Sequence, residues 1–334
     1  MKTLVVQGDW LLKKAHFAGL STRVNGHPCG GIIGFMNSLR EVISSYLIDK
    51  IVVAWDGELD GFRKYDRYPV LKAEKQEVWD RRIKVRASHP FDLSRKERFE
   101  SDVLSQRTIL QEHLDMLGVR QMQEETSEAI DAIALYVNEA ITVGEEVIIL
   151  SREHTFSQLV SDNVSVLSDG LLIGRKNFLD LYRYDPSNDL MLKCFIGMPS
   201  GVPGVRGLSM SRMTRFFSGL KLEHYPYADL IAYARRKKVD VRLKIYEAVL
   251  SAHEVVARNA KLINQRDPIF NSDLNEQKNY CLYSPLERDG TDELYRKYGM
   301  YEDLIGPAKE FFRPFQRMIM KEREYALFHE QVNI

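Results

Sequence analysis

Along the first half of the chain, short apolar runs alternate with longer stretches of helical period. "TLVVQ" (Thr3–Gln7), "KIVVAWD" (Lys50–Asp56), "EVIILS" (Glu146–Ser151) and "VSVL" (Val164–Leu167) are β-rich and lack a 3.6-residue period, which predicts buried strands. Between the first two, Ile32, Ile33, Phe35, Met36, Leu39, Val42 and Ile43 recur at helical spacing. Val103, Leu104, Ile109, Leu110 and Leu114 do the same, with Gly118 placed as a C-cap. In "SEAIDAIALYVNEAI" the predicted core face is Ile130, Ile133, Ala134, Val137 and Ile141. This alternation predicts an α/β fold, a mainly parallel sheet with helices on both faces. From about Asn177 the pattern turns helical, interrupted by "GMPSGVPGVRGLS". A polar and aromatic tail begins near Ile269 and ends in a predicted helix across "GPAKEFFRPFQRMIMKEREYALF". The domain division expected is 1–175, with a basic segment at about 61–100, then 176–268, then 269–334.

At 334 residues and 44% hydrophobic content the chain can bury the cores of two domains. Lys plus Arg and Asp plus Glu are both 47, so net charge proposes no partner. The distribution is more informative. Residues 61–100 carry 12 basic and 7 acidic side chains, residues 201–240 carry 8 and 3, and residues 121–150 carry 7 acidic and none basic. Two basic stretches around an acidic one suit a polyanion held beside a cation site. Solvated helix faces of differing sign would look the same. Cys29, Cys194 and Cys281 are few and far apart, as expected in a reducing compartment without a zinc ribbon. The N-terminus lacks a signal-peptide pattern and no run reaches membrane-spanning length, so the expectation is a soluble intracellular protein with no membrane partner.

Active sites of parallel sheets lie beyond the carboxyl ends of the strands, and Gln7, Asp56 and Glu153 fall there. Phosphodiester hydrolysis by two metals needs several carboxylates around ions about 4 Å apart. On a helical wheel Glu128 and Asp131 lie roughly 60° apart, off the apolar stripe, so they could face one ion with Asp56 and Glu153. For that pair alone the default reading is two solvated acids favoured by a helix N-terminus. "FRKYDRYPVLKAEKQEVWDRRIKVR" interleaves Arg63, Lys72, Lys75, Arg81 and Arg82 with aromatic residues, which suits phosphate contacts beside base stacking, as it suits a charged surface helix. Gly201, Gly204 and Gly207 around Pro203, next to Arg206, make a tight turn into a helix start. Such a turn can hold a phosphate by its backbone, or simply join two helices.

In this order the segments resemble the structure-specific 5′ nuclease family of flap endonucleases, polymerase-associated 5′ nucleases and bacteriophage 5′–3′ exonucleases and ribonuclease H enzymes. "VVQGDWLLKKAHFA" is similar to the family's V-D-G-[ND]-x-L-L-Y-R-A, and "GGIIGFMNSLREVI" to its Gly-rich helix start. "IVVAWDGELDGFRKYDRYPVLKAEK" resembles the run into the helical arch, and "LGVRQMQEETSEAIDAIA" the segment holding E-A-D-D. "VIILSREHTFSQLVSDNVSVL" resembles V-x-x-G-D-x-D-x-x-Q-L-V, and "GVPGVRG" the helix-hairpin-like turn that grips duplex DNA. The resemblance runs from Leu4 to about Phe217 and leaves the tail unmatched.

It implies a PIN-like domain with a basic arch, a helix-hairpin-helix-like gripping region, and branched or flapped duplex DNA as the ligand. Lys72 and Lys75 match the arch cations and Arg63 the F-R arginine. The 201–207 turn matches one that in the family often holds a monovalent cation. The departures fall on the acids. Gln7, Ile130, Thr155 and Met198 stand where the family has carboxylates, and Gly201 replaces another. Asp56, Glu128, Asp131 and Glu153 remain, enough for Mg2+ or Mn2+ at a weakened site. The expectation is a pseudonuclease that binds branched or nicked DNA as an accessory to phage-type replication or recombination, in the cytoplasm of a bacterial or phage-infected cell. Two alternatives stay open. One is an active nuclease with a rearranged site recruiting Asp9 or His154. The other is a protein-interaction module on the same frame, the tail being a possible dock for a replication protein.

Overall fold

The computed structural model describes residues 1–57, 90–198, 202–218, 227–240, 244–284 and 290–332. Arg63, Lys72, Lys75, Arg81, Arg82 and Gly201 lie outside the described residues. The chain divides into two compact units. Among the described residues, the first comprises 1–57, 90–151 and 270–332, and the second lies within 152–269.

In the first unit, β1 (Lys2–Gln7), α1 (Gly8–Ala18), α2 (Gly30–Tyr46), β2 (Lys50–Ala54), α3 (Pro90–Met116), β3 (Arg120–Met122), α4 (Ala129–Ala140) and β4 (Glu146–Leu150) follow in order. The strands lie β3-β2-β1-β4 with every pairing parallel. Leu4, Val5, Val6, Val52 and Val53 are fully buried, which is why these strands read as unbroken apolar runs rather than alternating ones. Each such side chain contributes about 1.5–3 kcal/mol on burial. Gly118 takes a φ of +66° just past α3, the left-handed step that stops the helix where the sequence placed its cap.

The amino ends of these strands are closed by a buried polar network. The Lys50 ammonium meets Glu145 at 2.5 Å, and Glu145 also accepts from the Thr3 hydroxyl (2.7 Å) and Tyr136 (2.9 Å). The C-terminal stretch belongs to this unit. Helix α11 (Ser272–Tyr283) packs on α4 and β3, α12 (Thr291–Tyr298) on α3, and α13 (Ala308–Val332) on α2. Ion pairs from Arg120 to Glu322 and from Lys321 to Asp49 tie α13 down. The amino-end pole of the sheet is thereby tied down.

Helix α4 departs from the expectation. Asp131, read as lying off the apolar stripe and able either to face an ion or to stand in solvent, has a buried side chain, and Ala129, Ala132, Leu135 and Tyr136 around the helix are buried too. Ile141, assigned to the core face, is instead exposed. The cause is packing on two sides, against the strands and against α11, which leaves no single polar face.

In the second unit, Val164–Ser168 and Leu171–Ile173 form an antiparallel hairpin (β5, β6), followed by α5 (Arg175–Tyr182) and α6 (Asp189–Ile196). A two-residue ladder, Gly197–Met198 with Val202–Pro203, leads through the glycine turn into α7 (Met210–Ser218). Helices α8 (Tyr227–Asp240), α9 (Lys244–Leu250) and α10 (His253–Ile263) complete it, and α10 packs on α6. No described helix is long and apolar enough to cross a membrane.

Candidate active site

At the carboxyl ends of β1 and β2, Asp9 and Asp56 are brought together. Asp9 lies in the first turn of α1, and its Oδ2 accepts the backbone N–H of Asp56 at 2.7 Å. The Asp56 carboxylate in turn accepts the N–H of Ala129, the first residue of α4, at 2.9 Å. A carboxylate at a helix N-terminus satisfies an orphan donor and is favoured by the helix dipole. Glu128 is the residue just before that helix and Asp131 sits in its first turn. The loop leaving β2 is fixed against the segment before α4 by Gly57 N–H donating to the Ser127 carbonyl at 2.9 Å.

Arg107, on α3, reaches the same point. Its Nη1 lies 3.4 Å from Asp9 Oδ1, its Nη2 donates to the Asp56 carbonyl at 2.7 Å, and its guanidinium lies 5.2 Å from the centre of the Trp55 ring. Trp55 is fully buried, and Gly8 allows the ring to come close, since a Cβ there would meet it at 2.5 Å. Burial pushes the Asp9 carboxyl above its usual range. The Arg107 charge and the Asp56 N–H pull it back, and the Asp56 charge pushes it up again. Nothing in the motif pattern pointed to Arg107. A signal was present, because Val103, Arg107, Leu110 and Leu114 recur at helical spacing and the three apolar ones are buried.

Gln7, at the end of β1, is buried and accepts the Ser151 hydroxyl at 2.6 Å. A neutral amide paired with a hydroxyl holds two strand ends together where an anion would need a cation. Among the described residues no group of three or more His, Cys, Asp or Glu side chains is gathered to hold a metal ion.

In the second unit Glu153 precedes a 3-10 turn, His154–Leu159; Glu153 is half-buried, His154 exposed and Thr155 buried. Lys193 donates to the His154 carbonyl and to Asp189, which also accepts from the Tyr184 hydroxyl at 2.8 Å. Burial lowers the Lys193 ammonium, and the charges of Asp189 and then Glu153 pull it back up. The glycine turn is tightly built. Gly204 lies on the backbone of Ile196, where a Cβ would come within 2.2 Å, and Gly207 has a φ of +85°. The Pro203 carbonyl accepts from Arg258 Nη2 (2.8 Å) and Asn259 Nδ2 (3.0 Å), so side-chain donors already serve an oxygen that could face a monovalent cation. Met198 is buried and Arg206 exposed.

Residues 2–185 match the family model described as the 5′-3′ exonuclease, N-terminal resolvase-like domain. The chain belongs to this family, as its parallel sheet and helices at the strand ends indicate. It is 29% identical over 211 residues to the thermostable DNA polymerase I of Thermus thermophilus, a match covering 62% of this chain and 22% of the polymerase. The chain thus spans about a fifth of that relative's length. A 5′-3′ exonuclease of Buchnera aphidicola subsp. Schizaphis graminum is 21% identical over 254 residues, covering 73% and 81% of the two chains. In fold the chain is similar to the bacteriophage T5 flap endonuclease in a pseudo-enzyme–product complex with DNA and metal ions. That match has a TM-score of 0.62 and 14% identity, and covers 96% of this chain and 100% of the other. The T5 5′-exonuclease with bound zinc matches equally well, with a TM-score of 0.62.

Proposed function

We propose that this chain binds branched or nicked duplex DNA through the family's frame and that its nuclease chemistry is weak or lost. The observation that carries this reading is the state of the strand-end acids. Asp9 is held by Arg107 and the Asp56 N–H, Asp56 caps α4, and Gln7 is neutral and paired with Ser151. Removing anionic ligands from a two-ion site costs several kcal/mol of transition-state stabilisation per interaction, on the order of 10²–10³ in rate each. The basic residues Arg63, Lys72, Lys75, Arg81, Arg82 and Arg206 would neutralise phosphates, and the 204–207 turn would hold backbone. Neither contact reads sequence. On this reading the protein acts at forks, flaps or nicks as an accessory to phage-type replication or recombination, in the cytoplasm. A replication protein is the partner to test for the C-terminal stretch.

An active nuclease is the second reading, favoured by the direct contact between Asp9 and Asp56. There Asp56, Glu128, Asp131 and Glu153 would ligate Mg2+ or Mn2+, with Asp9 or His154 recruited to a rearranged site. The deciding experiment is cleavage of an end-labelled 5′-flap duplex in manganese, with the Asp56→Ala variant alongside. No product at enzyme excess, with binding that weakens steeply as salt rises, is the expected result. Product that disappears in the variant would establish the second reading. Absence of any salt-sensitive DNA binding would leave a protein-interaction role.

A further inference from the structure

Of the two carboxylates at the ends of β1 and β2, Asp9 already faces a cation of the protein. One Arg107 amino group faces Asp9 and the other donates to the Asp56 carbonyl, with the guanidinium beside the Trp55 ring. The Arg107 side chain is only 13% exposed. A carboxylate, an oriented carbonyl and an aromatic ring are the surroundings that a buried cation requires. Three of the four carboxylate oxygens of Asp9 and Asp56 are also engaged. Asp9 Oδ2 takes the Asp56 N–H, Asp9 Oδ1 faces Arg107, and Asp56 Oδ1 takes the Ala129 N–H. An added dication would stand close to a positive charge that cannot lose its proton. Arg107 Nε is buried and has no hydrogen-bond partner among the described residues.

We propose that Arg107 takes the electrostatic place of a divalent ion at this end of the sheet, keeping it folded without metal and excluding metal while the guanidinium is present. The proposal rests on the reading of a chain that lacks two-metal chemistry, but its test contains no DNA, so each can fail alone. Full-length protein stripped with EDTA is titrated with Mn2+, following free Mn2+ by electron paramagnetic resonance and the melting temperature in parallel. Wild type is expected to show no site that depends on Asp56 and no shift in melting temperature. Arg107→Leu, and the similarly sized Arg107→Gln, are expected to melt lower in EDTA and to be restored by Mn2+. Their binding should be at least about tenfold tighter than wild type and lost again when Asp56→Asn is added. Wild-type binding that Asp56→Asn abolishes overturns the proposal whatever the variants do. Variants that gain neither Mn2+ binding nor Mn2+-dependent folding also overturn it.

Discussion

Both units bury a carboxylate against a side-chain cation, but the two pairs are built on different scales. In the second unit Asp189 and Lys193 stand four residues apart on one helix, so helix geometry alone brings them together. In the first, Asp9 comes from α1 and Arg107 from α3, and they meet only because both helices are fixed beside the strand ends. The local pair closes on itself with Tyr184 and the His154 carbonyl. The distant pair joins the ends of two strands to α3, at the position where the fold performs chemistry. Burial costs the same kind of free energy in each case, and what differs is how much structure must be complete before the charges can compensate each other.

The largest expected effect comes from opening the closed pair. Lys193→Met leaves Asp189, 1% exposed, without its cation and should cost about 3–5 kcal/mol in urea unfolding. Adding Asp189→Asn should recover most of it. A single-variant loss below about 1 kcal/mol would mean the pair contributes little beyond its packing.

His113 shows what burial does to a would-be cation with no acid beside it. Its ring lies 3.2 Å from the Tyr298 hydroxyl, and burial, with help from the Lys297 charge, depresses it to about 4. The unfolded chain takes up that proton first, near pH 6.5. This contribution is therefore full above about 6.5 and is lost as pH falls through about 4, roughly 3 kcal/mol in all. Melting temperature against pH should be flatter over that interval in His113→Phe. Parallel curves would show that His113 does not titrate this way.

The smallest effect separates buried from exposed cations. Arg206 is exposed, and Arg206→Ala should lower the slope of log affinity against log salt by about 1 on flap DNA. Lys193→Met should leave that slope unchanged, because a cation already paired inside the protein releases no counterions from DNA. An equal change in both would show that the slope follows folding rather than contact.

The strands, their parallel order and the glycine turn were legible because each depends on local pattern. Runs such as "TLVVQ" bury both faces, and Gly118 and Gly207 adopt the left-handed backbone their residue type favours. That Gln7 is neutral was equally plain, whereas its pairing with Ser151 was not, since that hydroxyl lies on another strand end. The burial of Asp131 was not legible because a helical wheel assumes one buried face, and α4 is covered on two sides.

By itself the sequence determined the alternation of strand and helix, the family, and which strand ends still carry acids. Periodicity, turn chemistry and residue type are properties of neighbours along the chain. Only the tertiary structure decided what those acids do. A carboxylate's role is set by the charge and donors within a few ångströms, and for Asp9 and Asp56 these come from α3 and α4. Coulomb and hydrogen-bond energies depend on distance in space, and the folded chain alone sets that distance.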